Sequence, residues 1–115
     1  MTILEVATAA RGDGQVQIEL RGELDLSTVG KVEEELRRVE GDSPKVVVLD
    51  LSGLSFLDSS GLRCLVRADE RAKESGMRFV LVRGPAAVQK VFEITRLEER
   101  LEIVDDASEL DGGGA

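Results

Sequence analysis

The run Val46-Val47-Val48-Leu49 constrains this chain more than any other stretch. It is apolar without alternation and mostly β-branched, so it offers no side to solvent. That marks a central strand buried on both faces. Phe79 to Val82 is a second run of this kind. Between and around them the apolar period becomes helical. Val29, Val32, Leu36 and Val39 share one stripe, with Ser27 or Thr28 placed to cap it. Glu33 to Glu35 precede Arg37 and Arg38 on the opposite side, the order the helix dipole favours, and Gly41 to Pro44 stops the helix. A second helix carries Leu62, Leu65, Val66 and Ala72 and ends at Gly76. A third starts near Pro85 and buries Val88, Val91 and Phe92.

The N-terminal part reads differently. Leu4 to Thr8 alternates apolar and polar, Gly12-Asp13-Gly14 supplies a turn, and Val16, Ile18 and Leu20 alternate again. That predicts a hairpin of half-buried antiparallel strands. With Leu101 to Val104 as a last strand and Asp105 to Leu110 as a closing helix, the order is β-β-α-β-α-β-α-β(-α). Strands alternating with helices imply an α/β fold: a single domain with a mixed, mostly parallel sheet and an antiparallel N-terminal strand. Residues 1–110 form the domain and 111–115 a flexible tail.

Three phenylalanines with no tryptophan or tyrosine leave an aliphatic core. Cys64 has no cysteine to pair with and no histidine beside it, so it is a small buried or half-buried filler. A formal net charge of −8 argues against nucleic acid and anionic membranes as partners and is compatible with a basic protein. No signal-like N-terminus or spanning apolar run is present, so a cytoplasmic location is expected.

In a parallel sheet the loops leaving the C-terminal strand ends gather on one edge, where binding sites concentrate. Here those loops are Asp25-Leu26-Ser27, Asp58-Ser59-Ser60-Gly61 and Arg83-Gly84-Pro85. The second places two hydroxyls, a carboxylate and a glycine where a strand hands over to a helix. It has a purely structural reading, in which Asp58 or Ser59 caps the helix and Ser60 fills its first turn. Gly61 points further, since glycine in a helix costs about 1 kcal/mol relative to alanine. A second backbone, or a nucleotide, coming close would justify it.

A nucleophilic Ser60 needs a base within hydrogen-bond reach. The chain has no histidine, and the segment is not a G-x-S-x-G elbow, so an enzyme is not expected. Asp50 at a strand end invites comparison with phospho-aspartate receivers, but their additional acids and lysine are missing, and it instead caps or braces the following loop. No phosphate-cradling glycine loop or metal-spaced carboxylates occur, so no cofactor and no metal is expected.

Gly22-Glu23-Leu24-Asp25, Val46 to Leu51 and Phe56-Leu57-Asp58-Ser59-Ser60-Gly61-Leu62 together resemble the STAS domain of bacterial anti-sigma factor antagonists. The likeness in element order runs from about Leu4 to Leu110 and includes Val91-Phe92-Glu93. The resemblance implies a non-catalytic switch. The unphosphorylated antagonist binds an anti-sigma factor with serine kinase activity and frees the sigma factor; phosphorylation ends the complex, and a serine phosphatase resets it. By resemblance Ser60 is the phospho-acceptor, Asp58, Ser59, Gly61 and Leu62 form the docking loop, and Asp25 is an acidic contact for the kinase. Arg63 stands where a small residue is often found in the family. An alternative is a structural STAS subunit of a signalling or lipid-transport assembly that is never phosphorylated. Such relatives often replace the acceptor serine, which is present here.

Overall fold

Val46 to Leu49 lies in the middle strand of a five-stranded sheet, as its composition demands. The structure is a computed structural model and describes residues 3–112. Its elements are β1 (Leu4–Ala10), β2 (Gln15–Leu24), α1 (Val29–Glu40), β3 (Val46–Leu57), α2 (Ser59–Ser75), β4 (Arg78–Val82), α3 (Ala86–Thr95), a 3-10 turn (Leu97–Glu99), β5 (Glu102–Val104) and α4 (Glu109–Gly112). The strands stand side by side in chain order. β1 is antiparallel to β2, and all other neighbours are parallel. The expected α/β order and mixed sheet are therefore present. The closing helix is shorter than Asp105 to Leu110, and of the expected tail residues 113–115 lie outside the described residues.

Each parallel connection steps the same way, so right-handed crossovers place α1, α2 and α3 on one face of the sheet. There Ile18, Val47, Leu49 and Leu81 join Leu36, Leu65 and Phe92 in a single, mostly aliphatic core. Val48 and Val80 face the other way and are equally buried, at 0% exposure. Behind the sheet the chain after β5 returns toward the β1–β2 hairpin, where Arg11 Nη2 donates to Ala107 O at 3.1 Å. Cys64 is the buried filler its setting suggested. Its Sγ donates to Glu33 Oε2 at 3.3 Å, and burial, followed by Glu33, pushes the thiol up to about 12. Arg71 grips Glu40 with two 2.8 Å bonds and lies 3.2 Å from Glu33, locking α1 to α2.

β3 runs well past the apolar stretch that announces it. Its second half buries Leu51, Leu54 and Leu57, a spacing of three that fits neither strand nor helix. The register explains it. From Glu19↔Asp50 to Arg21↔Gly53, and again from Gly22↔Leu54 to Glu23↔Phe56, β3 advances one residue more than β2. Each bulge resets which side chains face inward. Asp50 Oδ1 accepts from Ser52 N at 2.9 Å and so braces the first bulge rather than a loop. These bulges carry β3 to Leu57, directly beside Leu24 at the end of β2.

Candidate functional site

Because Leu24 and Leu57 end their strands in register, the loops that follow lie against each other. Asp58 N donates to Leu24 O at 3.2 Å. The side chain of Asp58 settles which residue caps α2. Its Oδ1 accepts from Gly61 N at 3.0 Å, and the residue is extended as an N-cap should be. Its Oδ2 reaches across and accepts from Leu26 N at 3.1 Å. One carboxylate thus fastens the entrance of α2 to the β2–α1 loop.

Asp25 is folded into its own turn. Its Oδ1 accepts from Ser27 N at 2.9 Å and from Ser27 Oγ at 2.6 Å, a local turn of the kind short acids favour. Thr28 stands at the N-cap of α1 but makes no side-chain cap bond. Instead its Oγ1 donates to Glu23 O at 2.8 Å and accepts from Asp25 N at 3.0 Å, bracing the same turn. Neither Ser27 nor Thr28 caps α1 in the expected way, because both are drawn into holding Asp25.

Ser59 is exposed and Ser60 half-buried in the first turn of α2. Among the described residues, no protein group hydrogen-bonds either hydroxyl. Gly61 and Leu62 lie beneath the rim, both buried. The reason for the glycine is internal. A Cβ there would meet Leu24 Cγ and Leu57 Cδ1 at 2.7 Å and Leu24 O at 3.1 Å. Gly61 therefore lets α2 settle onto the strand ends, and the sequence reading looked outward for a partner that the core itself supplies. Of the expected docking residues, Asp25, Asp58, Ser59 and Ser60 share the rim, while Gly61 and Leu62 support it.

Two rim residues escaped the sequence reading. Leu26 is 75% exposed and Phe56 47% exposed. With Asp25, Ser27 and Asp58 they line a shallow depression of about 520 Å³. The available signals were an apolar residue inside a polar turn and a phenylalanine out of phase between Leu54 and Leu57. The third loop, Arg83-Gly84-Pro85, stands at the end of β4, where Arg83 Nε pairs with Asp105 Oδ1 at 2.7 Å. It is tied to the β5 side and not to the serine loop. Among the described residues no group of acids and cysteine could hold a metal ion, and no helix is long and apolar enough to cross a membrane.

A sheet covered by helices on one face, with an acid–serine–glycine loop leading from its middle strand into a helix, has the architecture of a STAS domain. The chain belongs to that family, whose profile matches residues 7–110. It is similar to the anti-sigma-F factor antagonist RsfB of Mycobacterium tuberculosis strain H37Rv, at 36% identity over 77 residues. That stretch covers 67% of this chain and 63% of RsfB, less than two thirds of the relative's length. The anti-sigma-B factor antagonist of Listeria monocytogenes is 29% identical over 112 residues, covering 97% of this chain and 98% of that one. Among solved structures, an anti-sigma factor antagonist from Mycobacterium paratuberculosis superposes with a TM-score of 0.81 at 27% identity, covering 93% and 90% of the two chains.

Proposed function

We propose that this chain is an anti-sigma factor antagonist of the bacterial cytoplasm, controlled at Ser60. Unphosphorylated, it docks through the rim onto an anti-sigma factor that is also a serine kinase, and the sigma factor is released. Phosphorylation of Ser60 ends the docking, and a serine phosphatase restores it. The observation that carries this reading is the Ser60 hydroxyl itself. It stands half-exposed at the entrance of α2, engaged by no protein group among the described residues and with no histidine in the chain to activate it. Such a hydroxyl attacks nothing unaided, but it can take a phosphoryl group when a kinase supplies the base that accepts its proton. The relatives named above are regulators of this class, and a non-enzymatic role agrees with them.

The rim offers a partner three kinds of contact. Leu26 and Phe56 provide exposed apolar area of the sort that anchors interfaces. Asp25 and Asp58 provide negative charge for a basic residue of the kinase. Ser59 and Ser60 provide the hydroxyls, held at a fixed height by Gly61 and Leu62 below them.

Phosphate at Ser60 would add about −1.5 to −2 charges close to Asp58. The α2 N-terminus stabilises such charge by ~0.3–2 kcal/mol, but equally in the free protein, so it does not favour the complex. Docking presses the phosphate against Asp58 or an acid of the partner, a repulsion the free protein avoids. Two unit charges about 4 Å apart repel by roughly 4 kcal/mol at an effective dielectric of about 20. Half of that already weakens docking more than tenfold. In a calorimetric titration against the cognate kinase, Ser60→Ala binds like the unmodified protein and is not released by ATP. Ser60→Asp binds at least tenfold more weakly, and equal affinity for the two variants refutes the switch.

A further inference from the structure

We infer that Arg63 is an internal clamp for phosphate on Ser60, so that the chain itself holds its modified form in the off state. This deepens the proposed function and rests on Ser60 as the site of modification. Ser60 and Arg63 are three residues apart within α2 (Ser59–Ser75), which makes them neighbours on the helix surface. Helical side chains lean toward the N-terminus, so a residue covers the turn that precedes its own Cα. For Arg63 that turn is Ser59 and Ser60. The side chain of Arg63 is exposed, and among the described residues it forms no ion pair or hydrogen bond. The other arginines of α2 differ in position or engagement. Arg71 is committed to Glu40 and Glu33, and Arg67 lies a further turn along, seven residues from Ser60.

Several cations on the helices already have an acid. Arg37 pairs with Glu33, Arg38 with Glu35 and Lys73 with Asp69. Arg63 is left without one at the position from which a planar guanidinium reaches a phosphate on the preceding turn. A fork of N–H donors binds phosphate oxygens in pairs, which a point charge does not reproduce. Clamped in this way, the phosphate folds back over the helix entrance. A partner that needs this surface must then break the clamp as well as bear the repulsion from Asp58, so the unmodified form is preferred twice over.

The test installs phosphoserine at position 60 by genetic-code expansion, which makes it independent of any kinase. The second ionisation of the phosphate is followed by phosphorus NMR. It occurs at lower pH in the otherwise native chain than in Arg63→Gln, by ~0.5 pH unit in low salt. Arg63→Lys gives a smaller difference, Arg67→Gln nearly none, and ~1 M salt removes it. Coincident titrations for the native chain and Arg63→Gln overturn the clamp. Incubation of the unmodified chain with its kinase is scored separately by intact mass. A clamp seen by NMR with no phosphate gained there leaves the clamp standing and removes the switch; the opposite pair of results removes only the clamp.

Discussion

Replacing Asp58 by alanine removes two bonds from opposite sides of the rim at once. The bond to Gly61 N is an N-cap, and losing such a cap costs about 1 kcal/mol within a range of ~0.5–2. The bond to Leu26 N is charge-assisted but exposed, which places it near 1 kcal/mol rather than at the upper end for ionic acceptors. Asp58→Ala should therefore lower stability by ~2 kcal/mol, or roughly 8 °C in Tm for a domain of this size. Asp58→Asn keeps a good capping oxygen but turns an amide donor toward Leu26 N, so it should lose about half as much. Urea denaturation reads these differences as a shift in midpoint at unchanged slope. Amide hydrogen exchange separates the two bonds: both Leu26 and Gly61 lose protection in the alanine variant, and only Leu26 does in the asparagine variant. A stability for Asp58→Ala within ~0.5 kcal/mol of the native chain refutes the two-sided fastening.

Gly61→Ala gains ~1 kcal/mol of helix propensity but forces a methyl against Leu24 and Leu57, both buried, an overpacking penalty of ~1–3 kcal/mol. A net loss of about 1 kcal/mol is expected in the same urea experiment, and a more stable variant contradicts the internal account of this glycine. The Cys64 thiol, raised to about 12 by burial and Glu33, should resist aromatic disulfide reagents at pH 8 until denaturant is added. The folded state favours its protonated form, so this contribution is complete below the unfolded thiol's range. It is lost as pH climbs toward 12, and fast labelling of the native protein at pH 8 would refute it. Serine in place of both Leu26 and Phe56 should leave the melting temperature almost unchanged while weakening kinase docking more than tenfold, and unaltered affinity removes the apolar anchor from the interface.

The parts legible in the sequence were those written in local pattern. Val46 to Leu49 announced a two-sided strand, Val32, Leu36 and Val39 a helical stripe, and Gly76 a helix end, which the structure forms with a left-handed φ of 76°. The acid–serine loop was placed at its strand-to-helix junction for the same reason, and Ser60 stands on the rim as expected. What escaped depends on residues far apart in the chain. The inward spacing of Leu51, Leu54 and Leu57 makes sense only once β2 sets the register and the bulges appear. Gly61 looked like an invitation to a partner because Leu24, 37 positions earlier, cannot be seen from its neighbours. Asp58 and Ser59 were equal candidates for the cap until Asp58 Oδ1 took the bond from Gly61 N, and the second bond, from Leu26 N to Oδ2, joins residues 32 positions apart.

The sheet's one-directional winding also divides the molecule into two ends with separate duties. All the connections into α1 and α2 open at one pole, whereas Arg71, Glu40 and the C-terminal turns of the same helices are gathered at the other. Exposed positions at the first pole, such as Leu26 and Phe56, can thus change without disturbing the packing anchored at the second, so what the rim touches and what keeps the chain folded are set by different residues.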